Sequence, residues 1–381
     1  MDDTTPVVVA ACRTPLGKAD GVFADVRPEE LSIPLVDHLL AETGLDGESV
    51  DDLLWGCAGQ RGPQGNNLAR VIALCSTLGE STPAATINRW CASSAQAIAQ
   101  AADAIRAGRQ DCVVAGGVES MSMVPIGGNT DFAPLLAERY DLADLRMGAT
   151  AEAVAERYGV SRREQDEYAA RSQQRASAAT DDGRFAEEIV PIEGRVDGET
   201  RLVAEDEGLR RDTTIEGLGE LDPVFAENGT VTAGNASQTT DGAAGLLVVS
   251  AEFADENGLE PMAIVGESAV AGVDPEVMGI GPVPACRRLF ERTETTADDY
   301  DLVELNEAFA SQTVYCRREL GFESGFNVNG GAIAIGHPLG ATGARLPVTL
   351  LYEMHRRGAD RGLATECVGF GQGMAIAFEQ R

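Results

Sequence analysis

Short apolar segments alternate with helical segments at both ends of this chain, and this alternation constrains the fold more than any other feature. Residues 7–11 are an apolar, valine-rich run that predicts a buried strand. The pattern continues with predicted strands at 51–56, 112–115, 245–250 and 263–272, and with predicted helices at 28–42, 67–78 and 92–107. Such alternation predicts an α/β fold with a mostly parallel sheet covered by helices on both faces.

The middle of the chain differs from both ends in composition. Charged and polar residues dominate between residue 119 and about residue 231, with predicted helices at 151–158 and 163–178. We interpret this segment as an insertion that carries a binding surface. The predicted organisation is a first half at 1–118, completed by about 238–260, an inserted loop domain at 119–237, and a second half at 261–381.

A weak internal repeat indicates that the two halves are related. Residues 87–91 lead into a helix, a turn and a strand that closes on Gly116 and Gly117. Residues 328–332 likewise lead through a helix and a turn to a strand that closes on Gly369. Any two strand–helix–strand units share part of this pattern, so the likeness does not depend wholly on a relation between the halves.

The acidic composition argues against several classes of partner. The chain of 381 residues carries 61 acidic and 30 basic residues, and its formal net charge is −31. Nucleic acid and anionic membranes require a basic surface, so neither is an expected partner. Lys18 is the one lysine. Acid enrichment with lysine depletion along the whole chain predicts adaptation to concentrated salt, with an ordinary acidic cytosolic protein as the alternative.

The eight cysteines are dispersed, without a Cys-x-x-Cys pair or metal-type clustering. They predict reduced thiols and no metal site. The first residues show no basic, apolar leader, and no run of about 18 apolar residues occurs. We therefore expect a cytoplasmic protein without a transmembrane helix.

Cys91 is the first candidate for chemistry, because an apolar run ends there and an alanine-rich helix begins. The unpaired N–H groups and positive dipole end of a helix N-terminus favour a thiolate. A free cysteine is nevertheless more often a small buried hydrophobe.

His337 is the second candidate. It lies in the glycine-rich segment 330–343, where the backbone allows close approach and Pro338 fixes the chain beside the imidazole. The other histidines, His38 and His355, lie on predicted helices and are interpreted as structural or solvated. Histidine in such a setting is typical of proton transfer.

Two further segments place polar groups at the ends of apolar strands. Cys367 precedes a glycine loop that offers backbone donors, and Asn306 and Glu307 close another apolar run. Taken alone, the thiol reads as a core residue at a strand end and the Asn-Glu pair as a loop or cap feature.

Together these motifs resemble the thiolase family of CoA-dependent enzymes, which make or cleave 3-ketoacyl-CoA. The resemblance covers nearly the whole chain and rests on residues 88–91 with Ser93 and Gln96, and on residues 116–122, 147–152, 234–237, 278–285, 306–309, 336–338 and 367–369. It implies a five-layered αβαβα architecture of two related halves with an inserted loop domain, assembled as a homotetramer or homodimer.

The resemblance also implies roles. Cys91 would be the nucleophile that takes the acyl group, and His337 the base that activates it. Cys367 would exchange a proton with the methyl carbon of acetyl-CoA. Asn306 would hold a water that, with His337, stabilises the enolate, and the N–H groups of Cys91 and Gly369 would stabilise the tetrahedral oxyanion.

Coenzyme A and acyl-CoA are the implied partners, as substrates rather than as a permanently bound cofactor. Arg210 and Arg211 stand where the family binds the nucleotide end, although an exposed loop pair is an equally simple interpretation. The positions implied for the pantetheine arm and its channel are Met147, Phe225, Ala233, Ser237, Ala308 and Phe309.

The chain departs from the family pattern beside the implied acyl site. Ser94 and Ala95 stand in place of the usual Gly and Leu, and Phe370 replaces a common glycine. These changes predict an altered chain-length preference. Arg146 occupies a position where many biosynthetic acetoacetyl-CoA thiolases have histidine, which favours a broader 3-ketoacyl-CoA thiolase; a contact between Arg146 and a CoA phosphate is the alternative interpretation.

Four other functions fit parts of the pattern. A dedicated biosynthetic acetoacetyl-CoA thiolase would use the same residues. A ketoacyl-carrier-protein synthase would need two histidines, or a histidine and an asparagine, in place of the second cysteine, Cys367. A non-catalytic relative would be expected to lose Cys91 or the pair Asn306 and Glu307. A cysteine hydrolase would release free acid without CoA.

Overall fold

The apolar run after Pro6 forms a strand that is buried on both faces. The computed structural model describes residues 2–127 and 132–380. Its first elements are β1 (Pro6–Arg13), β2 (Gly17–Lys18), α1 (Pro28–Thr43), β3 (Asp52–Gly56), α2 (Leu68–Cys75), β4 (Ala84–Ile87), α3 (Ser93–Arg106) and β5 (Cys112–Ser120). The predicted helices at 28–42 and 92–107 and the strand at 51–56 are confirmed, whereas α2 ends three residues earlier than predicted.

The charged middle segment folds into helices of 4 to 20 residues and one hairpin. It comprises α4 (Pro134–Ala137), α5 (Met147–Tyr158), α6 (Arg162–Asp181), β6 (Ile192–Val196), β7 (Glu199–Val203) and α7 (Ile215–Gly219). The remaining elements are β8 (Thr240–Ser250), α8 (Ala251–Asn257), β9 (Ala263–Gly272), α9 (Pro282–Thr293), β10 (Leu302–Leu305), α10 (Ala310–Leu320), α11 (Ala332–Ile335), α12 (Leu339–Arg357), β11 (Arg361–Val368) and β12 (Gln372–Glu379).

The strands follow the order β10-β11-β12-β9-β1-β8-β5-β3-β4, with β2 paired to β8. Only β3–β4, β3–β5 and β10–β11 are parallel among the strand pairs of the described residues. The prediction of a mostly parallel sheet is therefore wrong. Three residues connect β11 to β12, which is too short for a parallel crossover, and β8 returns antiparallel to both of its neighbours.

The strand order repeats across the junction of β1 and β9. The sequence β1-β8-β5-β3 on one side corresponds to β9-β12-β11-β10 on the other, with α1, α2 and α3 corresponding to α9, α10 and α12. The relation predicted between residues 87–91 and 328–332 holds only in part. The second segment leads into the short α11 before α12, because Gly336 (φ 110°) and Pro338 interrupt the helix.

Three apolar clusters define five layers. Helices α3 and α12 lie in the middle and pack against strands of both halves. Helices α1 and α2 cover the outer face of the first half, and α9 and α10, with α6, cover that of the second. The predicted αβαβα architecture is confirmed. Within residues 2–127 and 132–380, no helix is long and apolar enough to cross a membrane.

Glycines set how closely the middle layer packs. Gly117, predicted to end a strand, lies inside β5, where a Cβ atom would stand 2.3 Å from Gly340 O. A Cβ atom on Gly343 would stand 2.4 Å from Ala95 N, so α12 touches the backbone of α3. Because these glycines have no side chains, the first turns of α3 and α12 can lie next to each other.

We predict that Gly343→Ala destabilises the protein by about 1–3 kcal/mol, because the added methyl group meets backbone that cannot yield. Gly219→Ala is the matched control, since a Cβ atom there meets nothing within 4 Å. Thermal unfolding midpoints check this. Equal midpoints for the two variants would contradict tight contact between α3 and α12.

Candidate active site

Cys91 lies in a tight turn between β4 and α3. Ser93 Oγ donates to Trp90 O (2.5 Å) and accepts from Arg89 N (3.0 Å), which holds the turn closed. The Cys91 side chain is buried. Burial, together with the nearby Glu366, raises the pKa of the thiol to about 12, while N–H groups of Gly369 and Cys91 itself lower it. The helix N-terminus therefore does not suffice to produce the thiolate predicted from sequence, and the resting group is a thiol.

The second thiol, Cys367, is the penultimate residue of β11 in the opposite half and is fully buried. Burial raises the pKa of Cys367, and Cys91 is the next largest cause. Gly369, two residues after Cys367, lies against the Trp90 ring beside Cys91, since a Cβ atom on Gly369 would stand 3.3 Å from that ring. The fold thus brings together two cysteines separated by most of the chain.

His337 lies between α11 and α12 with its ring almost fully buried. Its Nδ1 lies 2.6 Å from Thr342 Oγ1, and that hydroxyl donates to Pro338 O at 2.9 Å. Because the one hydroxyl proton is used, Nδ1–H is the donor and Nε2 carries the lone pair. Burial and the charge of Arg345 lower the pKa of His337 to about 3. The imidazole is neutral, and Nε2 carries the lone pair that can accept a proton.

Asn306 and Gln312 connect the imidazole to Cys367. Asn306 Nδ2 lies 3.3 Å from His337 Nε2. The Gln312 amide nitrogen donates to Asn306 O (3.2 Å) and faces Cys367 Sγ at 3.5 Å. Sequence reasoning missed both Thr342 and Gln312. Two features of the sequence could have indicated them. Thr342 lies one helical turn after Pro338, and Gln312 carries an amide six residues after Asn306.

Two buried carboxylates hold this arrangement in place. Glu307 accepts from Tyr168 and Ser172 of α6 and from Asn327. Glu119, at the end of β5, accepts from Gly340 N (2.8 Å) at the start of α12 and from the backbone of the first half. Glu307 is therefore part of the scaffold, while its neighbour Asn306 faces the imidazole.

The residues expected to bind pantetheine gather around Cys367. Met147, Ala308 and Phe309 share an apolar cluster with this thiol. Ser237 N donates to Ala308 O (3.0 Å), and the Phe225 ring packs edge-on against Phe309, with centroids 6.1 Å apart. Ala233 is exposed on the loop that also contains Ser237.

Arg210 and Arg211 lie on an exposed loop over α6. Arg210 N donates to Gln173 Oε1 (2.9 Å), and the Arg211 guanidinium pairs with Asp181. The structure thus brings the loop against α6 but leaves the Arg210 side chain open. Within residues 2–127 and 132–380, no group of three or more His, Cys, Asp or Glu side chains could hold a metal ion.

Two residues beside the thiols have unusual backbone angles. Trp90 has φ 47° and Phe370 has φ 61°, both in the left-handed region that favours glycine. Each costs roughly 1–2 kcal/mol relative to glycine. Such strain persists where the surrounding structure enforces it.

The fold and this pair of thiols with a neutral imidazole define a thiolase-type acyltransferase site. Residues 6–252 match the thiolase N-terminal domain, and residues 259–380 match the thiolase C-terminal domain. The chain belongs to the thiolase family.

Known thiolases are similar to this chain over nearly its full length. The chain is 47% identical to a 3-ketoacyl-CoA thiolase of Cronobacter sakazakii, over 98% of this chain and 99% of the relative. Human mitochondrial 3-ketoacyl-CoA thiolase superposes with a TM-score of 0.92 at 38% identity, covering 99% of each chain. Acetyl-CoA acetyltransferase of Bacillus anthracis superposes with a TM-score of 0.92 at 40% identity, covering 98% of each chain.

We predict that the His337 ring stays neutral from pH 7 to pH 4, with the proton on Nδ1, because its pKa is lowered to about 3. Nitrogen NMR of histidine-labelled protein measures both properties. Thr342→Val removes the acceptor and should shift the proton toward Nε2. Thr349→Val, a buried threonine on the same helix that bonds Glu188 instead, should leave the His337 signals unchanged. Titration near pH 6.5 would refute the assignment.

Proposed function

We propose that this protein cleaves 3-ketoacyl-CoA with CoA, releasing acetyl-CoA and a shortened acyl-CoA, and that it also catalyses the reverse condensation. The observation that carries the proposal is that three buried groups, Cys91, Cys367 and neutral His337, are joined by the contacts of Asn306, Gln312 and Gly369 described above. Two thiols are needed because one holds the acyl group while the other moves a proton.

In the first half-reaction Cys91 Sγ attacks the 3-keto carbon, and its proton passes to His337 Nε2. The bond between C2 and C3 then breaks, leaving the acyl group on Cys91. The electron pair goes to C2 as the acetyl-CoA enolate, and Cys367 protonates it. Burial disfavours charge on Cys91, Cys367 and His337. The site therefore holds no thiolate–imidazolium pair before the reaction, and protons move between these groups only as the bonds change.

In the second half-reaction the CoA thiol gives its proton to Cys367 and attacks the acyl-Cys91 thioester. Cys91 leaves with the proton held by His337, and both thiols are restored. The N–H groups of Cys91 and Gly369 stabilise the oxyanion, each contributing roughly 3–4 kcal/mol. Asn306 Oδ1 has no hydrogen-bond partner among the described residues, which favours a water held there beside the enolate oxygen.

Coenzyme A enters as a substrate in this proposal, and no cofactor is permanently bound. The cluster of Met147, Ala308 and Phe309 around Cys367 supports a pantetheine channel, with Phe225, Ala233 and Ser237 along it. Arg210 and Arg211 would meet the phosphates as local exceptions to an acidic surface. The segment 119–237 is accordingly the CoA-binding loop domain between halves at 1–118 with 238–260 and at 261–381.

The same proposal includes a cytoplasmic, salt-adapted homodimer or homotetramer. The acidic composition supports the salt adaptation. Strand β4 lies at the end of the sheet, and α2 beside it exposes Leu74, which supports pairing of copies along this edge. A dedicated biosynthetic acetoacetyl-CoA thiolase remains the second candidate, supported by the likeness to the B. anthracis acetyltransferase.

We predict different failures for the two thiols. Cys91→Ala should form no acyl-enzyme with acetyl-CoA, whereas Cys367→Ala should acylate Cys91 but lose both cleavage and condensation. Mass spectrometry of intact protein and turnover of acetoacetyl-CoA measure these steps. Cys75→Ala, at an exposed thiol, is the control and should retain activity. An acylated Cys91→Ala protein, or an unacylated Cys367→Ala protein, would contradict the division of roles.

We predict that replacing Arg210 and Arg211 with alanine raises KM for CoA by about ten-fold, because charge-assisted phosphate contacts are lost. The same variant should discriminate less between CoA and dephospho-CoA if the lost contact is with the 3′-phosphate. Arg201→Ala is the matched control, since this exposed arginine pairs with Glu199 of its own strand. An unchanged KM would exclude a phosphate role.

A further inference from the structure

The loop that bears Arg210 and Arg211 lies against helix α11, and a buried glutamine of α6 joins the two. The side-chain oxygen of Gln173 accepts from Arg210 N (2.9 Å), and its side-chain nitrogen donates to Ile333 O of α11 (3.2 Å). Gln173 is 3% exposed, so both hydrogen bonds are shielded from water. The arginines proposed to meet the CoA phosphates are therefore tied to α11.

A second glutamine, two residues before β8, joins the same loop to α11. The side-chain nitrogen of Gln238 donates to Gly208 O (2.9 Å) and to Ala334 O (3.0 Å). The loop and α11 are in close contact here, because a Cβ atom on Gly208 would stand 2.8 Å from Ala334 O. We name Gln173 and Gln238 the bridging glutamines.

Helix α11 leads directly to the imidazole of the site. It ends at Ile335, and His337 follows after one glycine. His337 N donates to Gln238 O (3.0 Å), so the backbone of one bridging glutamine also holds this residue. At the start of α11, Ile333 N donates to Glu307 (3.2 Å). A continuous chain of hydrogen bonds thus connects the loop to His337, which is the kind of connection that passes a restraint between sites.

The other end of the loop is fixed to the first half. Asp206 pairs with Arg13 (2.7 Å) and accepts from Leu16 N (2.8 Å), and both charged side chains are buried. A ligand held at Arg210 and Arg211 therefore restrains the end of the loop that the bridging glutamines tie to α11.

We propose that the bridging glutamines are positioning residues, through which binding of the CoA nucleotide fixes His337 in its reactive place. This inference rests on the proposed thiolase function and deepens it, because the nucleotide half of CoA then raises the rate constant of the reaction in addition to lowering KM. Binding energy from a remote part of a substrate is used in this way to orient the reacting groups.

The test is transfer of the acetyl group from Cys91 to a thiol in a single turnover. Protein acetylated by acetyl-CoA, and then freed of it, is mixed with CoA or with pantetheine, which has the same thiol arm without the nucleotide. At saturating thiol, the rate constant in the native protein should be about ten-fold higher with CoA than with pantetheine. Gln173→Met and Gln238→Met should each lower this ratio by about five-fold, the loss expected for one hydrogen bond.

Gln174→Met is the matched control. Gln174 is exposed on α6 beside Gln173, and its replacement should leave the ratio unchanged.

A second measurement starts from the native protein, so it holds if a glutamine variant fails to fold. Adenosine 3′,5′-bisphosphate resembles the nucleotide half of CoA and has no thiol. It should shift the nitrogen NMR signals of His337 in the native protein and in Gln174→Met, but not in Gln238→Met.

Equal rate constants with CoA and pantetheine in the native protein, or His337 signals that the bisphosphate does not shift, would overturn the inference and leave the proposed function standing. A higher KM for CoA in both glutamine variants, with an unchanged ratio of rate constants, would show that the two amides only shape the binding loop, which also overturns it. If acetyl-CoA does not acetylate Cys91, the proposed function itself fails.

Discussion

The contact between α3 and α12 is the constraint on which the rest of the structure depends. Gly343 brings α12 against the backbone of α3 at Ala95, and Glu119 holds the first turn of α12 through Gly340 N. Cys91 precedes one of these helices and His337 the other. A larger residue at the crossing would separate the two starts, so the same packing that builds the middle layer also assembles the site.

Burial then decides the charge state of that site. Desolvation keeps Cys91 and Cys367 as thiols and His337 as a neutral imidazole. The resting site therefore stores no ion pair, and in the proposed reaction each negative charge that forms is met by a proton transfer or by an N–H group of Cys91 or Gly369. Thr342 matters for this reason, since it keeps the His337 proton on Nδ1.

Sequence reasoning recovered the candidate residues because each lies in a short local motif. Cys91, His337, Cys367 and Asn306 are marked by glycine-rich or helix-initiating neighbours, and the resemblance to thiolases joined those motifs. Gln312 and Thr342 escaped notice because their importance lies in hydrogen bonds to residues that the sequence does not place. The parallel sheet was a wrong expectation because alternation of strands and helices does not show where β8 and β12 insert.

The sequence alone determined the family, the α/β class and the residue types available for acyl transfer, since these depend on periodicity and local motifs. Only the tertiary structure decided that Cys91 is a buried thiol, that His337 is neutral with its lone pair on Nε2, and that Trp90, Phe370 and Phe132 share one surface. Those properties arise from desolvation and from contacts between segments of two halves. No local pattern encodes them, because they exist only after α3 and α12 have packed together.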